Sequence, residues 1–198
     1  MTCAPLQSSI ASSRDAQGIG SGRLLGDSYV PLGDAVYTPS WVAKDMVEWF
    51  KPTGSVLDPC RGPGAIYDEL PLGSHWCEIK DGKDFFAWSE PVDWIICNPP
   101  YTGFRKWFKH SFDVANHVVM LVPVWKAFSA HGLRLQLEPW GGIAEIRHYG
   151  IGTQLGFPMA NAIGAVYFKR GHHSGVIQQS EASSPNTPVR DAAQPRSL

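Results

Sequence analysis

The residue types in this chain best able to do chemistry stand together at Asn98-Pro99-Pro100-Tyr101. An Asn side-chain carbonyl, with a backbone carbonyl such as that of Pro99 beside it, can accept both hydrogens of a planar amino group. An aromatic ring such as Tyr101 can stack on the ring that carries the group. Held that way, the amino nitrogen is drawn out of conjugation and becomes nucleophilic. Pro99 and Pro100 donate no backbone hydrogen bond and enforce an extended path, so the amide and the ring stand on stiff backbone. The bland alternative is an Asn-Pro turn closing a buried strand. It accounts for the prolines but not for Tyr101 or the acidic positions upstream.

Those positions form a second set. Asp58-Pro59-Cys60-Arg61-Gly62-Pro63-Gly64 joins a carboxylate to a glycine-rich turn, and Gly62 and Gly64 let backbone pass close to a ligand. Glu78 follows about 20 positions after Asp58, where a carboxylate commonly takes the hydroxyls of a ribose. Asp84 with Phe85 is an acidic-aromatic step suited to an adenine amino group and ring. The turn is not a complete GxGxxG and has no Lys-Ser/Thr to hold phosphate, so neither a dinucleotide nor a triphosphate is supported. An adenosine-bearing ligand without phosphates fits the ordered set.

The elements that position these residues follow from pattern. Trp94-Ile95-Ile96-Cys97 is apolar without polar alternation, as in a parallel strand covered on both faces, and it stops at Asn98. Ligands of open α/β sheets bind at that carboxyl end. Strands are expected over 55–58, 75–78 and 117–122. The stretches 143–149 and 163–169 read as an antiparallel pair at the sheet edge, and Phe157-Pro158 in their connection reads by default as a turn, with a place over the pocket as the alternative. A helix is expected over 65–70. Another opens at Tyr37-Thr38-Pro39, with Thr38 as N-cap and Pro39 in the first helical position. Its inner face is Val42, Met46 and Trp49/Phe50, and Lys51-Pro52-Thr53-Gly54 ends it. A helix over 102–116 places Phe104, Trp107, Phe108 and Phe112 inward, with Arg105, Lys106, Lys109 and His110 outward. That basic face reads either as solvated or as a nucleic-acid contact. The stretches 126–142 and 150–161 read as loops.

With 198 residues the chain has room for one domain, and its formal charge of −1 gives no global pull toward nucleic acid. Residues 1–33 and 171–198 are rich in small and polar residues and are expected to be disordered, leaving 34–170 as the working domain. Cys3, Cys60, Cys77 and Cys97 form no CxxC pair and read as reduced thiols. His172-His173 has no third ligand nearby, so no metal is expected. No apolar run is long enough to span a membrane and no signal-peptide core opens the chain, so a soluble, cytoplasmic protein is expected.

The order Tyr37-Thr38-Pro39, Asp58-Pro59 with Gly62-Pro63-Gly64, Glu78, Asp84-Phe85 and Asn98-Pro99-Pro100-Tyr101 resembles the S-adenosylmethionine-dependent methyltransferases of the adenine amino group in DNA. The likeness covers about residues 36–122, and 143–169 loosely. It implies an α/β Rossmann-like methyltransferase fold: a mostly parallel seven-stranded sheet with an antiparallel edge hairpin. It also implies S-adenosylmethionine as cofactor and DNA as partner. Tyr37, Thr38 and Pro39 would flank the methionine part of the cofactor. Asp58 and the turn residues Cys60, Gly62 and Gly64 would contact its amino acid and ribose, Glu78 the ribose hydroxyls, and Asp84 with Phe85 the adenine. Asn98 and the Pro99 carbonyl would hold the target amino group, with Tyr101 stacked on the base.

Three departures stand out. Arg61 occupies a place where the family has a small residue. Only residues 79–83 separate Glu78 from Asp84, which leaves a trimmed sheet face. No segment is long enough for a target-recognition domain, so base readout would come from short loops or a specificity partner subunit. Two alternatives stay open. One is the same chemistry on RNA or on a protein glutamine amide, since Asn-Pro-Pro-Tyr also occurs in such enzymes. The other is a non-catalytic nucleic-acid-binding module of the same fold.

Overall fold

The computed structural model describes residues 22–25, 28–31, 36–129 and 131–185, which fall into two units, Met1–Ala35 and Val36–Leu198. In the first, strand β1 (Gly22–Leu25) pairs antiparallel with β2 (Ser28–Pro31), Leu25 opposite Ser28. This hairpin stands in a stretch whose composition suggests disorder. Its local cue is Leu24-Leu25 and Tyr29-Val30 around Gly26-Asp27, a two-residue turn signal. The rest of 1–33 lies outside the described residues.

The second unit opens with helix α1 (Ser40–Phe50), followed by β3 (Val56–Asp58), β4 (His75–Trp76), β5 (Val92–Cys97), α2 (Phe104–Val114) and β6 (Ala115–Pro123). Then come α3 (Lys126–Ser129), α4 (His131–Trp140), β7 (Gly141–Ile151), β8 (Ala162–Arg170) and β9 (Gln178–Glu181). The strands form one seven-stranded sheet in the order β4-β3-β5-β6-β8-β7-β9. β3, β4, β5 and β6 run parallel, β8 lies antiparallel to both β6 and β7, and β9 pairs parallel with β7.

The apolar strands read as expected because both faces are covered. Ile95, Cys97, Val118, Met120 and Val122 join Phe108, Phe112 and Trp140 of α2 and α4 on one side. Ile96, Val119 and Leu121 join Val42, Met46 and Phe50 of α1 on the other. A half-buried ion pair pins α1 across the sheet: Arg147 on β7 donates to both Asp45 oxygens at 2.6 and 2.7 Å, and the Tyr149 hydroxyl donates at 2.7 Å. Burial pushes the Asp45 carboxyl up, but these bonds outweigh it and hold it below its ordinary value.

Five expectations are corrected. Residues 65–70 form no α-helix but only a 3-10 turn at Tyr67–Glu69, because Pro71 leaves room for no second turn. The stretch 126–142 is largely helical rather than a loop. Phe157 is buried with Tyr149 and Ile163 in the core instead of lying over a pocket. The tail after Gly171 supplies β9, so the β7–β8 hairpin is not the edge of the sheet. β7 would otherwise present unpaired backbone groups, and main-chain bonds to Gln178–Glu181 satisfy them whatever the side chains. Within α1, Trp49 faces out, its indole donating to Glu145 at 2.6 Å.

Candidate active site

The strand order reverses between β3 and β5: the chain steps from β3 to β4 on one side, then to β5 on the other. Such a switch point opens a crevice at the strands' carboxyl ends. Asp58 ends β3 there and Asn98 follows the last residue of β5. The Cys60 thiol donates to the Asn98 carbonyl at 3.3 Å, tying the glycine turn to the Asn-Pro-Pro-Tyr loop.

The Asn98 side chain is oriented from a third direction. Its Nδ2 donates to the Val36 carbonyl at 2.9 Å and to the Thr38 hydroxyl at 3.1 Å. A main-chain carbonyl only accepts, so the amide nitrogen must face it and Oδ1 is left as the acceptor. Thr38 therefore does not cap α1: the cap position falls to Pro39, with no side-chain cap bond, and the Pro39 carbonyl takes the Val42 amide. The hydroxyl expected at the helix start serves Asn98 instead.

On the β3 side the turn needs its glycines. Gly62 has φ +53° and Gly64 φ +105°, and a Cβ on Gly64 would come within 3.1 Å of the Asp68 carboxylate. The Gly62 amide donates to Glu78 Oε2 at 2.8 Å and the Lys80 amide to Oε1 at 3.2 Å. Each carboxylate oxygen keeps a lone pair for a hydroxyl donor. Asp58 is buried and accepts the Cys60 amide at 3.1 Å. Burial raises its carboxyl from 3.8 to about 7; the Cys60 amide opposes the shift, the Glu78 carboxylate adds to it and Arg61 opposes it. The Cys60 thiol is pushed up by its bond with Cys97 and by burial, and burial does the same to Cys97, so neither is poised as a thiolate nucleophile. Asp84 is exposed, its Oδ1 held by the Phe86 amide at 2.9 Å. It bears, with Asp58, on the Cys77 thiol, which burial raises to about 11.

Phe85 is buried and stacked on Trp107 at 5.1 Å with the edge of His110 against it. Its ring is taken up by core contacts, while Phe86 beside it is half-buried. Arg61 turns onto the sheet edge, its guanidinium 4.6 Å from the Trp76 ring and 5.2 Å from Tyr67. Tyr37 is exposed. Of the basic face, Lys109 is ion-paired with Asp113 at 2.8 Å and Lys106 lies 4.0 Å over Phe86, while Arg105 is exposed. Two participants escaped sequence reading. Val36 acts through its main chain, which leaves no signature. Lys126, whose ammonium donates to the Tyr101 carbonyl at 2.9 Å, stands just past β6, the same strand-end position that marks Asn98 on β5.

The donor set fits the cofactor implied by the resemblance. Carboxylates and backbone amides line a turn suited to hydroxyls and positive charge. No family model and no curated protein matches the chain. Solved structures do, at the level of fold. A protein of Listeria monocytogenes assigned to the class I S-adenosylmethionine-dependent methyltransferases superposes with TM-score 0.59 at 14% identity, over 80% of this chain and 69% of that one. The modification subunit assigned to a type I restriction enzyme of Vibrio vulnificus YJ016 gives 0.54 at 17%, over 77% and 48%. A type I restriction-modification methyltransferase subunit from Streptococcus thermophilus gives 0.53 at 13%, over 73% and 47%. The chain has the class I methyltransferase fold, and it spans about half the length of the type I subunits it matches.

Proposed function

We propose that the chain transfers a methyl group from S-adenosylmethionine to the exocyclic amino group of adenine in DNA. The observation that carries this reading is the fixed Asn98 amide, whose Oδ1 is the acceptor left over at the carboxyl end of β5. Glu78 would bind ribose hydroxyls, Asp58 and the Gly62–Gly64 turn the amino-acid end, and Asp84 the adenine amino group of the cofactor. When bound, the cofactor supplies a methyl group made electrophilic by its sulfonium. Asn98 Oδ1 and the Pro99 carbonyl accept the two amino hydrogens of the target, orient the nitrogen lone pair, and meet with their dipoles the positive charge that grows on nitrogen. Tyr101 stacks on the target ring. In a duplex the adenine must leave the stack at a cost of a few kcal/mol, which this stacking partly offsets. Cys60 and Cys97, held neutral, take no covalent part. Any sequence readout beyond the nearest bases falls to a specificity partner subunit.

The test is incubation with tritiated S-adenosylmethionine and unmethylated DNA, RNA or cell protein. The expected outcome is label in DNA as N6-methyladenine, absent with Asn98→Ala. Label confined to RNA or protein would move the acceptor, and no label in any would favour the non-catalytic module.

A further inference from the structure

Four aromatic side chains stand among the exposed large apolar residues of the described chain: Tyr37, Trp49, Trp125 and Phe128. Trp49 is accounted for by its bond to Glu145 and by the Arg147 guanidinium 3.7 Å over its ring. The other three lie on segments bonded to the acceptor loop. Tyr37 sits between Val36 and Thr38, which hold the Asn98 amide. Trp125 and Phe128 bracket Lys126, which holds the Tyr101 carbonyl.

The two rings are presented on ordered backbone. The Val124 amide donates to Ala162 at 2.9 Å, and the Phe128 amide donates to Trp125 at 3.1 Å in the turn that opens α3. Ala127 is the residue this turn buries, whereas Trp125 is 51% exposed and Phe128 56%. Three apart on a helical turn, they share a face. Exposed aromatic pairs of this kind, on stiff backbone at the rim of a crevice, suit stacking on flat rings.

Charge narrows the occupant. The stretches 99–112 and 114–137 contain no Asp or Glu, and Asp113 between them is paired with Lys109. The same span carries Arg105, Lys106, Lys109 and Lys126. The carboxylates of the site, Asp58, Glu78 and Asp84, all stand on the β3–β4 side. The Asn98 side of the crevice is thus basic and aromatic, which fits a polyanion bearing π faces.

Resting on the proposed adenine reading, we infer that Trp125 and Phe128 form a stacking platform for bases flanking the target, and that the acceptor is engaged as an unpaired nucleic-acid strand. Bases in an unpaired strand offer open faces to such rings; within an intact duplex those faces are occupied by neighbouring pairs.

The experiment uses the full chain saturated with S-adenosylhomocysteine and a fluorescein-labelled deoxyoligonucleotide of about a dozen nucleotides, with a single adenine. It is presented as single strand and as duplex, and binding is read by fluorescence anisotropy. The single strand should bind more tightly. W125A and F128A should each weaken it about tenfold, with W125F close to wild type. The dependence of affinity on salt should be unchanged, because stacking releases no counterions. Methyl transfer should lose kcat/KM in parallel, while S-adenosylmethionine affinity stays at the wild-type value. Tighter binding and faster methylation of the duplex, or full single-strand affinity in both alanine variants, overturns the platform while leaving adenine methylation standing. Platform-dependent strand binding without transfer to adenine supports the platform and overturns the proposed reaction.

Discussion

Asp58→Asn separates the cost of the site from its use. The carboxyl is 1% exposed and raised from 3.8 to about 7, chiefly by burial. At about 1.4 kcal/mol per unit, that interval is about 4 kcal/mol favouring the protonated form in the fold. The contribution is fully present below pH 3.8 and is lost as pH rises through about 7. At pH 8 the folded wild type holds an ionised buried carboxylate; Asn is nearly isosteric, neutral, and keeps an acceptor for the Cys60 amide. Allowing for relaxation around the charge, Asp58→Asn should be more stable than wild type by about 2–4 kcal/mol at pH 8 and nearly equal to it at pH 4. For a domain of this size that is roughly 5–15 °C in Tm. Urea denaturation of both proteins across pH 4–8 reads the difference directly. Cofactor binding should move the other way. Calorimetry should show wild-type affinity for the cationic cofactor rising as pH passes about 7, while the variant binds weakly with a flat profile. A stability difference that does not change between pH 4 and pH 8 would refute the reasoning.

Other consequences are checked more simply. Asn98→Ala should abolish transfer with cofactor affinity almost intact, read by single-turnover kinetics beside calorimetry, whereas Tyr101→Ala should be leaky and Tyr101→Phe mild. Glu78→Ala should weaken S-adenosylmethionine by about 1.5–3 kcal/mol, the worth of charge-assisted hydrogen bonds to a ribose, and unchanged affinity would remove Glu78 from the cofactor site. A chain ending at residue 170 loses β9 and bares the β7 backbone, so it should unfold at lower temperature and exchange its β7 amides faster than one ending at 185. Neutralising Arg105, Lys106 and Lys109 together should weaken DNA binding equally on all sequences and flatten its salt dependence, with Lys109 contributing least because Asp113 already pairs it.

The strand before Asn98 was legible because burial on both faces removes polar alternation, and its end because prolines forbid both strand and helix. Asp58, Gly62, Glu78 and Asn98 were legible as strand-end or turn residues. What sequence did not convey was interaction through the main chain. β9 is a Gln-Gln-Ser-Glu segment with no strand propensity of its own, recruited by an open edge. The Thr38 hydroxyl bonds a residue just past a distant strand rather than the adjacent helix, and local capping rules cannot see that. The acidic-aromatic step Asp84-Phe85 points to a ligand, yet Phe85 packs into the core. Which of two consecutive aromatics turns inward depends on the packing of Trp107 and His110, fixed by α2.

The polarity of the crevice has a consequence for how its halves work together. Carboxylates outnumber cations on the β3–β4 side, where Asp58, Glu78 and Asp84 stand near Arg61 and Lys83, and cations with exposed rings gather past β5 and β6. The thiol-to-carbonyl bond from Cys60 to Asn98 is a direct side-chain link between the glycine turn and the acceptor loop. A cationic donor and a polyanionic acceptor would then be bound by surfaces of opposite sign that meet where β3 pairs with β5 and at that contact. Substitutions far apart with no shared partner act additively. Glu78→Ala combined with Trp125→Ala should therefore lower kcat/KM by the product of the single effects. Cys60→Ser, which leaves a hydroxyl donor in reach of the same carbonyl, should change neither binding step strongly, whereas Cys60→Val removes the donor and should let the Asn98 loop shift relative to the turn. If the thiol only fills space, the valine variant will match the serine one in turnover. If the bond sets the approach of the two halves, turnover will fall in the valine variant alone while both ligands still bind.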